Sequence, residues 1–428
     1  EMRGYMPDAY GKTETQLKTG RITVCFDRDG DGLMDASTVF LDGLIMPRAI
    51  SMVEGGVLVA EPPNLWYCRD TNGDFVCDTK TNVAKYARQG PVEHTDNALL
   101  PAIDNHIYNA KSSRRFRFVE GKILEDKTRG RGQWALSMDN YGRLYHTSNS
   151  RYLSGDWDTY KLKQFGFGIR DSRVYSIRPN PGINRGYRKG MLGDRGRLNR
   201  ITAISGPGVY RGHVYGEAYV GDVFICEPAA NVVTLFDHKD EEGKLSFSHV
   251  SFDDEEWTQR DFLASTDERF RPVSLYSGPD GCMHVVDLYH GILQHKVYIT
   301  PFLRKQIIDR DLDKLNNDRG RIYRIVPEGT RIRNVKPNLQ RASSPDLVKT
   351  LFHPNGWHRD TAQRLLVERR ATDVVPLLEQ AVLDRSNHLG QVHALWTLHG
   401  LNRIRGPLVL AALKDPHSKV RLTGLAVA

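Results

Sequence analysis

The chain has 428 residues, 39% of them hydrophobic and 26% charged, with a formal net charge of +8. That balance belongs to a folded globular protein, and no run of about 18 or more apolar residues offers a membrane span. Lys and Arg are spread along the length, the densest short run being Ser112-Ser113-Arg114-Arg115-Phe116-Arg117, so the charge argues for a solvated surface and against a nucleic-acid partner.

At the start, Glu1 to Met6 reads like the inside of a strand and the turn after it, with no signal peptide. The natural N-terminus is therefore expected upstream, where a leader would stand. A repeating cue follows: a turn of Gly, Asp or Asn, then a short apolar or alternating strand. It occurs at Gly20-Arg21-Ile22-Thr23-Val24-Cys25, at Gly56 to Glu61, at Asn105 to Asn109, and at Gly142 to His146. It returns at Gly221 to Cys226 and Gly281 to Asp287, and Gly320 to Val326 resembles the first copy. Some copies lead directly into a second strand, as at Asn64-Leu65-Trp66-Tyr67-Cys68 and Asn231 to Phe236. Inner strand, link and neighbouring strand, repeated, describe a propeller. Counted as inner strands, the copies give an all-β six-bladed β-propeller over residues 1–340, its first blade around Met2 truncated. Pairing of the last strand with that first blade would close the ring.

After about residue 343 the period changes. Ser344-Pro345-Asp346-Leu347 starts a helix. Helical patterns cover Trp357 to Arg370, Val374 to Asp384, Leu389 to Leu401, Pro407 to Lys414 and Ser418 onward. Two turns of one type, His353-Pro354-Asn355-Gly356 and Asp415-Pro416-His417-Ser418, separate helix pairs. Residues 341–428 thus read as an α-helical HEAT-like solenoid, with a capping repeat expected beyond them.

The strongest local motif is Asp27-Arg28-Asp29-Gly30-Asp31-Gly32-Leu33-Met34-Asp35. Alternate carboxylates on a tight glycine turn suit a calcium ion, which takes six to eight hard oxygens. Asp27, Asp29, Asp31 and Asp35 would give side chains and Leu33 a carbonyl; the alternative is a metal-free Asp-Gly turn. Asp70-Thr71-Asn72-Gly73-Asp74-Phe75-Val76-Cys77-Asp78 keeps the register, with Asp70, Asn72, Asp74 and Asp78 as its oxygen donors. Cys68 and Cys77 flank the stretch Arg69 to Val76, as a disulfide in an oxidising compartment or as two thiols. No cysteine forms a CxxCH or zinc-type pair. No Walker loop, GxGxxG, GxSxG or HExxH motif stands in a fitting context.

Polar residues gather at strand ends: Glu93-His94-Thr95-Asp96-Asn97, Arg129-Gly130-Arg131-Gly132-Gln133-Trp134, Tyr145 to Ser150 and Asn184-Arg185-Gly186-Tyr187. Asp267 to Val273 and Asp287 to His295 complete the set. In a propeller such ends converge on the central channel, where Arg, Asn, Gln and Tyr suit an oxygen-rich anionic ligand. Half of them serve equally well as bonds between blades.

The order of these motifs, ending in Phe270-Arg271-Pro272-Val273, Gly278-Pro279-Asp280-Gly281, Gln294-His295 and His353-Pro354-Asn355-Gly356-Trp357, resembles a bacterial family. It is the membrane-bound dehydrogenase-like proteins of planctomycetes and their relatives. These join a sorbosone- or glucose-dehydrogenase-like propeller to HEAT repeats and often to a cytochrome c domain. The resemblance implies an exported, periplasmic quinoprotein that oxidises a sugar or alcohol with pyrroloquinoline quinone and passes electrons to a cytochrome c domain or protein. It implies His94 as general base, with Arg131 or Gln133 on the quinone and Arg269 or Arg271 on its carboxylates. Asn149, Asp287 and His295 would complete that site, and no haem is held within this chain. Two other readings stand beside it: a non-catalytic propeller–HEAT scaffold, and a quinone-free propeller lyase or lactonase.

Overall fold

Turn residues set the sheet boundaries. In a computed structural model, which describes residues 1–86, 94–156, 166–176, 198, 200–241, 244–256, 258–314, 319–331 and 336–428, two strands, β1 (Gly20–Phe26) and β2 (Ala36–Leu44), form a hairpin. Four-stranded antiparallel sheets follow. The first has β3 (Ala49–Val53), β4 (Gly56–Glu61), β5 (Asn64–Arg69) and β6 (Thr79–Lys85). The second has β7 (Asn97–Pro101), β8 (Ile107–Ala110), β9 (Arg114–Val119) and β10 (Lys122–Lys127). The third has β11 (Leu136–Met138), β12 (Leu144–Ser148), β13 (Arg151–Asp156) and β14 (Gly166–Gly168). The fourth holds β15 (Ser205–Val209), β16 (Val223–Glu227), β17 (Val232–Glu241) and β18 (Lys244–Val250). Beside it lie a small hairpin of β19 (Phe252–Asp254) and β20 (Thr258–Arg260), and β21 (Leu263–Ala264), which adds to β17. The fifth sheet is β22 (Pro272–Ser277), β23 (Met283–Asp287) and β24 (Arg321–Ile325), with helix α1 (Pro301–Asp309) between its last two strands.

Among the described residues the propeller has five blades, not six. Two physical reasons account for the miscount. The recurring Gly or Asn turn joins the first strand of each sheet to the second, so the cue marks second strands; Asn105, Gly142, Gly221 and Gly281 all take positive φ there. The inner strands are β3, β7, β11, β15 and β22, which neighbour one another in that order. Residues around Met2 make turns instead of a strand. Their apolar side chains, Tyr5, Met6 and Ala9, pack on Ile292, Ile299 and Leu303. Closure differs too: β24 pairs with β23 of its own sheet and not with the N-terminal hairpin.

Sheets flanked on both sides are buried on both faces, as in β16, where every residue is buried. The fifth sheet has a neighbour on one face only, and its other face leaves Tyr276 58% and Ile322 71% exposed.

Six helices follow: α2 (Ser344–Thr350), α3 (Gly356–Glu368), α4 (Val375–Leu383), α5 (His388–Gly400), α6 (Gly406–Leu413) and α7 (Ser418–Val427). The last five begin and end within about two residues of the sequence patterns. Side-chain caps fix three starts: Ser343 accepts from Asp346 N, Asn355 from Trp357 N and Asn387 from Gly390 N. One apolar core joins Ile103, Leu136 and Met138 of the second and third sheets to Leu347, Leu366 and Leu395 of the helices. Each such leucine contributes about 1.5–3 kcal/mol by leaving water. No helix among the described residues is long and apolar enough to cross a membrane.

Candidate functional site

Inner strands and the links beyond them surround a central cavity of about 2000 Å³. It runs outward between the β1–β2 hairpin and the open face of the fifth sheet, reaching Cys25 and Leu33 on one side and Tyr276 and Ile322 on the other.

Of the residues expected at this site, Gln133, Asn149, Asp287 and His295 line the cavity. His295 is the best built. Its Nε2 lies 2.7 Å from Glu14 Oε1, and both side chains are buried. Lys296 Nζ lies 3.1 Å from the same carboxylate oxygen. Burial raises the Glu14 carboxyl, but its bonds from His295 and Lys296 outweigh that and hold it below its ordinary value. With Nε2–H given to the carboxylate, His295 Nδ1 carries the lone pair and has no hydrogen-bond partner among the described residues.

Two neighbours, at the end of β23 and on the link after it, are in the same condition. Asp287 Oδ1 accepts from Arg271 N at 2.7 Å and Tyr289 N at 2.8 Å, while Oδ2 finds no partner among the described residues. Burial pushes the Asp287 carboxyl up. His290 Nδ1 lies 2.5 Å from Ile292 O, and its Nε2 is likewise without a partner among the described residues. Burial pushes His290 down to about 4, so it is neutral. An unsatisfied buried polar atom costs about 1–3 kcal/mol. Asp287, His290 and His295 all border one cavity, where a ligand's hydroxyls or ordered water would satisfy them.

The other expected residues do not meet there. His94 is half-buried outside the lining and takes an amide contact of 3.0 Å from Gln133 Nε2 to its Nδ1. Burial, then Lys111 and His295, lower its pKa. Arg131 Nε bonds Asp156 at 2.5 Å, and its NH1 bonds Thr128 and Arg129 O. Arg271 is 1% exposed, and its guanidinium donates to the carbonyls of His290, Pro228 and Gly291. Arg269 donates to Asp311 O at 3.0 Å. Arg131, expected on the quinone, and Arg271, expected on its carboxylates, are committed to Asp156 and to three carbonyls, and none of the three arginines borders the cavity. Gln133, Asn149, Asp287 and His295 are the expected cofactor contacts that border the cavity. The cluster Asn184 to Tyr187, with Glu93, lies outside the described residues.

The acidic loops share one set of bonds. Asp27 accepts from Gly30 N and Gly32 N, and Asp70 from Gly73 N and Phe75 N. Asp31 accepts from Leu33 N and Asp74 from Val76 N; Asp35 accepts from Arg28 N and Asp78 from Thr71 N. Phe75 takes φ 65° where the first loop has Gly32, and its ring meets Phe26 at 5.1 Å, so the loops are neighbours. Asp27, Asp29 and Asp35 bring ligand oxygens within 4.8 Å of one another, a hard-oxygen set that suits calcium. The backbone N–H bonds lower both Asp70 and Asp78. Cys68 and Cys77 are thiols, and burial, with Cys77 beside it, pushes Cys68 up to about 12.

Sequence reasoning missed Glu14 and His290. His290 stood inside a motif already singled out, whereas Glu14 lies in a stretch with no motif and meets its partner 281 residues away.

A family model described as "Domain of unknown function (DUF7133)" matches residues 1–329. No curated protein matches the chain. Among similar solved structures, a glucose dehydrogenase is 16% identical, covers 58% of this chain and 95% of its own, and has a TM-score of 0.29. The soluble aldose sugar dehydrogenase of Escherichia coli is 11% identical, with 56% and 92% covered and a TM-score of 0.25. A candidate 6-phosphogluconolactonase of Bacteroides uniformis is 12% identical, with 64% and 72% covered and a TM-score of 0.35.

Proposed function

The chain belongs to the DUF7133 domain family, and from that premise we propose that it is a propeller dehydrogenase acting on a sugar or alcohol in the central cavity. The observation that carries the reading is the Glu14–His295 pair at the cavity wall. A buried carboxylate on one imidazole nitrogen orients the ring and fixes its tautomer, leaving the other nitrogen to take a proton. The substrate O–H bond breaks as the Nδ1–H bond of His295 forms. His94 is replaced in this role by His295, because His94 lies outside the lining. Asp287, His290 and the amides of Gln133 and Asn149 offer the hydrogen bonds that a polyhydroxylated substrate needs.

This reading requires a hydride acceptor of the quinone class, whose seat Arg131, Arg269 and Arg271 do not build. Calcium in the acidic loops is proposed as structural. Loops of this kind fill at the calcium levels found outside the cytoplasm, which supports an extracytoplasmic, periplasmic placement. Electrons are proposed to leave to a cytochrome c domain or protein, and the helical array to be HEAT-like.

The occupied arginines favour a second reading, a quinone-free lactonase or lyase using the same His295. Purified protein with calcium, incubated with and without pyrroloquinoline quinone, separates the two. Quinone binding with dye-linked oxidation of a sugar or alcohol establishes the first. Acid release from sugar lactones, or double-bond formation in a polysaccharide, without quinone establishes the second. Neither activity in folded protein makes the chain a binding scaffold.

A further inference from the structure

The contact between the propeller and the helices gathers histidines in two stacks. In one, His388 and His417 stack at 3.9 Å between ring centroids, and Tyr141 Oη of the third sheet lies 3.0 Å from His388 Nε2. In the other, His353 and His358 stack at 4.1 Å, and His213 meets His353 edge-on at 5.6 Å. His358 Nε2 lies 2.9 Å from the carbonyl of Pro279 in the fifth sheet's turn. Between the stacks, His393 is fully buried and bonds Gln363, which in turn holds Ile103 O and Asn105 of the propeller.

Fixed charges around them are paired except Arg359, whose buried guanidinium meets the carbonyls of His353 and Pro354 and Asn140 Oδ1. Arg211 grips Asp360 with two bonds of 2.6 and 2.9 Å, and Asn140 Oδ1 accepts from both Arg211 and Arg359. Arg143 and Lys419 take Asp240, and Arg143 also takes Asp139. Asp415 accepts from Gln391 and from the His417 backbone. His353 faces His358, His213 and Arg359. His388 faces His417 and Arg359, with Asp415 opposing, and His417 faces Asp415, Lys419 and Arg421. Asp360, which pairs with Arg211, is 3.9 Å from His393 Nε2. No uncommitted carboxylate among the described residues waits for a new imidazolium.

We propose that this contact is an acid-released dock, in which protonation of the stacked histidines loosens the helical array from the propeller and opens its helices while the propeller stays folded. The proposal concerns the helices and is independent of the cavity chemistry. Burial first, then the neighbouring histidines and arginines, pushes His353 and His388 down to about 4, and burial lowers His358, His393 and His417. A group whose docked pKa is depressed favours docking fully above its free value, near 6.5, and loses that as pH falls toward its docked value. The window is therefore from about pH 6.5 down to about pH 4. At pH 5 each such histidine shifts the docking equilibrium by up to about thirtyfold.

Amide hydrogen exchange of the whole chain, corrected for the intrinsic pH dependence, tests this. From pH 7 to pH 5, opening of α5 and α7 should rise by about thirtyfold or more, while β16 and β17 stay constant. His388→Gln and His353→Gln, made singly so that each variant retains a polar side chain, should each remove most of one such factor. Equal opening of β16 and the helices, or an unchanged pH slope in both variants, overturns the proposal.

Discussion

Two regions of this protein bury polar side chains, and they leave them in different company. At the cavity, the atoms His295 Nδ1, His290 Nε2 and Asp287 Oδ2, unbonded among the described residues, belong to residues that border open volume. At the helix contact, unbonded atoms such as Arg359 Nε and His393 Nε2 belong to residues enclosed by packing. Polar groups around a void await a ligand. Polar groups inside a packed joint cost stability, offset by neighbouring apolar burial, and make the joint sensitive to charge.

The largest test breaks the enclosed region. Asp360→Ala leaves the Arg211 guanidinium without its carboxylate, beside the buried Arg359, and should destabilise by about 3 kcal/mol, read by urea unfolding followed at the helices. Gly142→Ala should cost about 2 kcal/mol by the same measurement. The glycine sits at φ +85°, and an added Cβ would stand 2.3 Å from Ile103 Cγ2, at the base of the helix-facing core. On the open side, Glu14→Gln should lower turnover by about 100-fold, with the protein still folded by circular dichroism. An active Glu14→Gln variant would remove His295 from its role and leave the two regions alike. The smallest effect concerns the acidic loops. Calcium at about ten times its Kd should add about 1.4 kcal/mol, a rise of a few degrees in Tm, and Asp27→Asn should abolish that rise.

What was legible in the sequence was local. The helices could be read because caps and apolar period lie within a dozen residues, as with Asn355 before α3. The acidic loops could be read for the same reason: each bond spans at most seven residues. The blade count failed because one turn cue does not say which strand of a sheet it precedes. The arginines failed differently. A guanidinium at a strand end looks the same in sequence whether it faces a ligand or, like Arg271, fills with carbonyls from two other segments. Glu14 was invisible because a pair joining opposite ends of the chain leaves no spacing to recognise.

One feature of the ring has a mechanical side. Every boundary between consecutive blades from β3 to β22 is a packed sheet face, but the hairpin and the fifth sheet share no ladder. They are bridged by Tyr5, Met6 and Ala9 against Ile292 and Leu303, and by Glu14 against His295 and Lys296. Among the described residues, the strands of the hairpin and the fifth sheet do not pack on each other as the inner strands of consecutive blades do, so this seam is expected to yield first. Under the proposed function a bulky substrate would enter through it sideways, and its binding would then stiffen the whole ring like a key turned in a clasp.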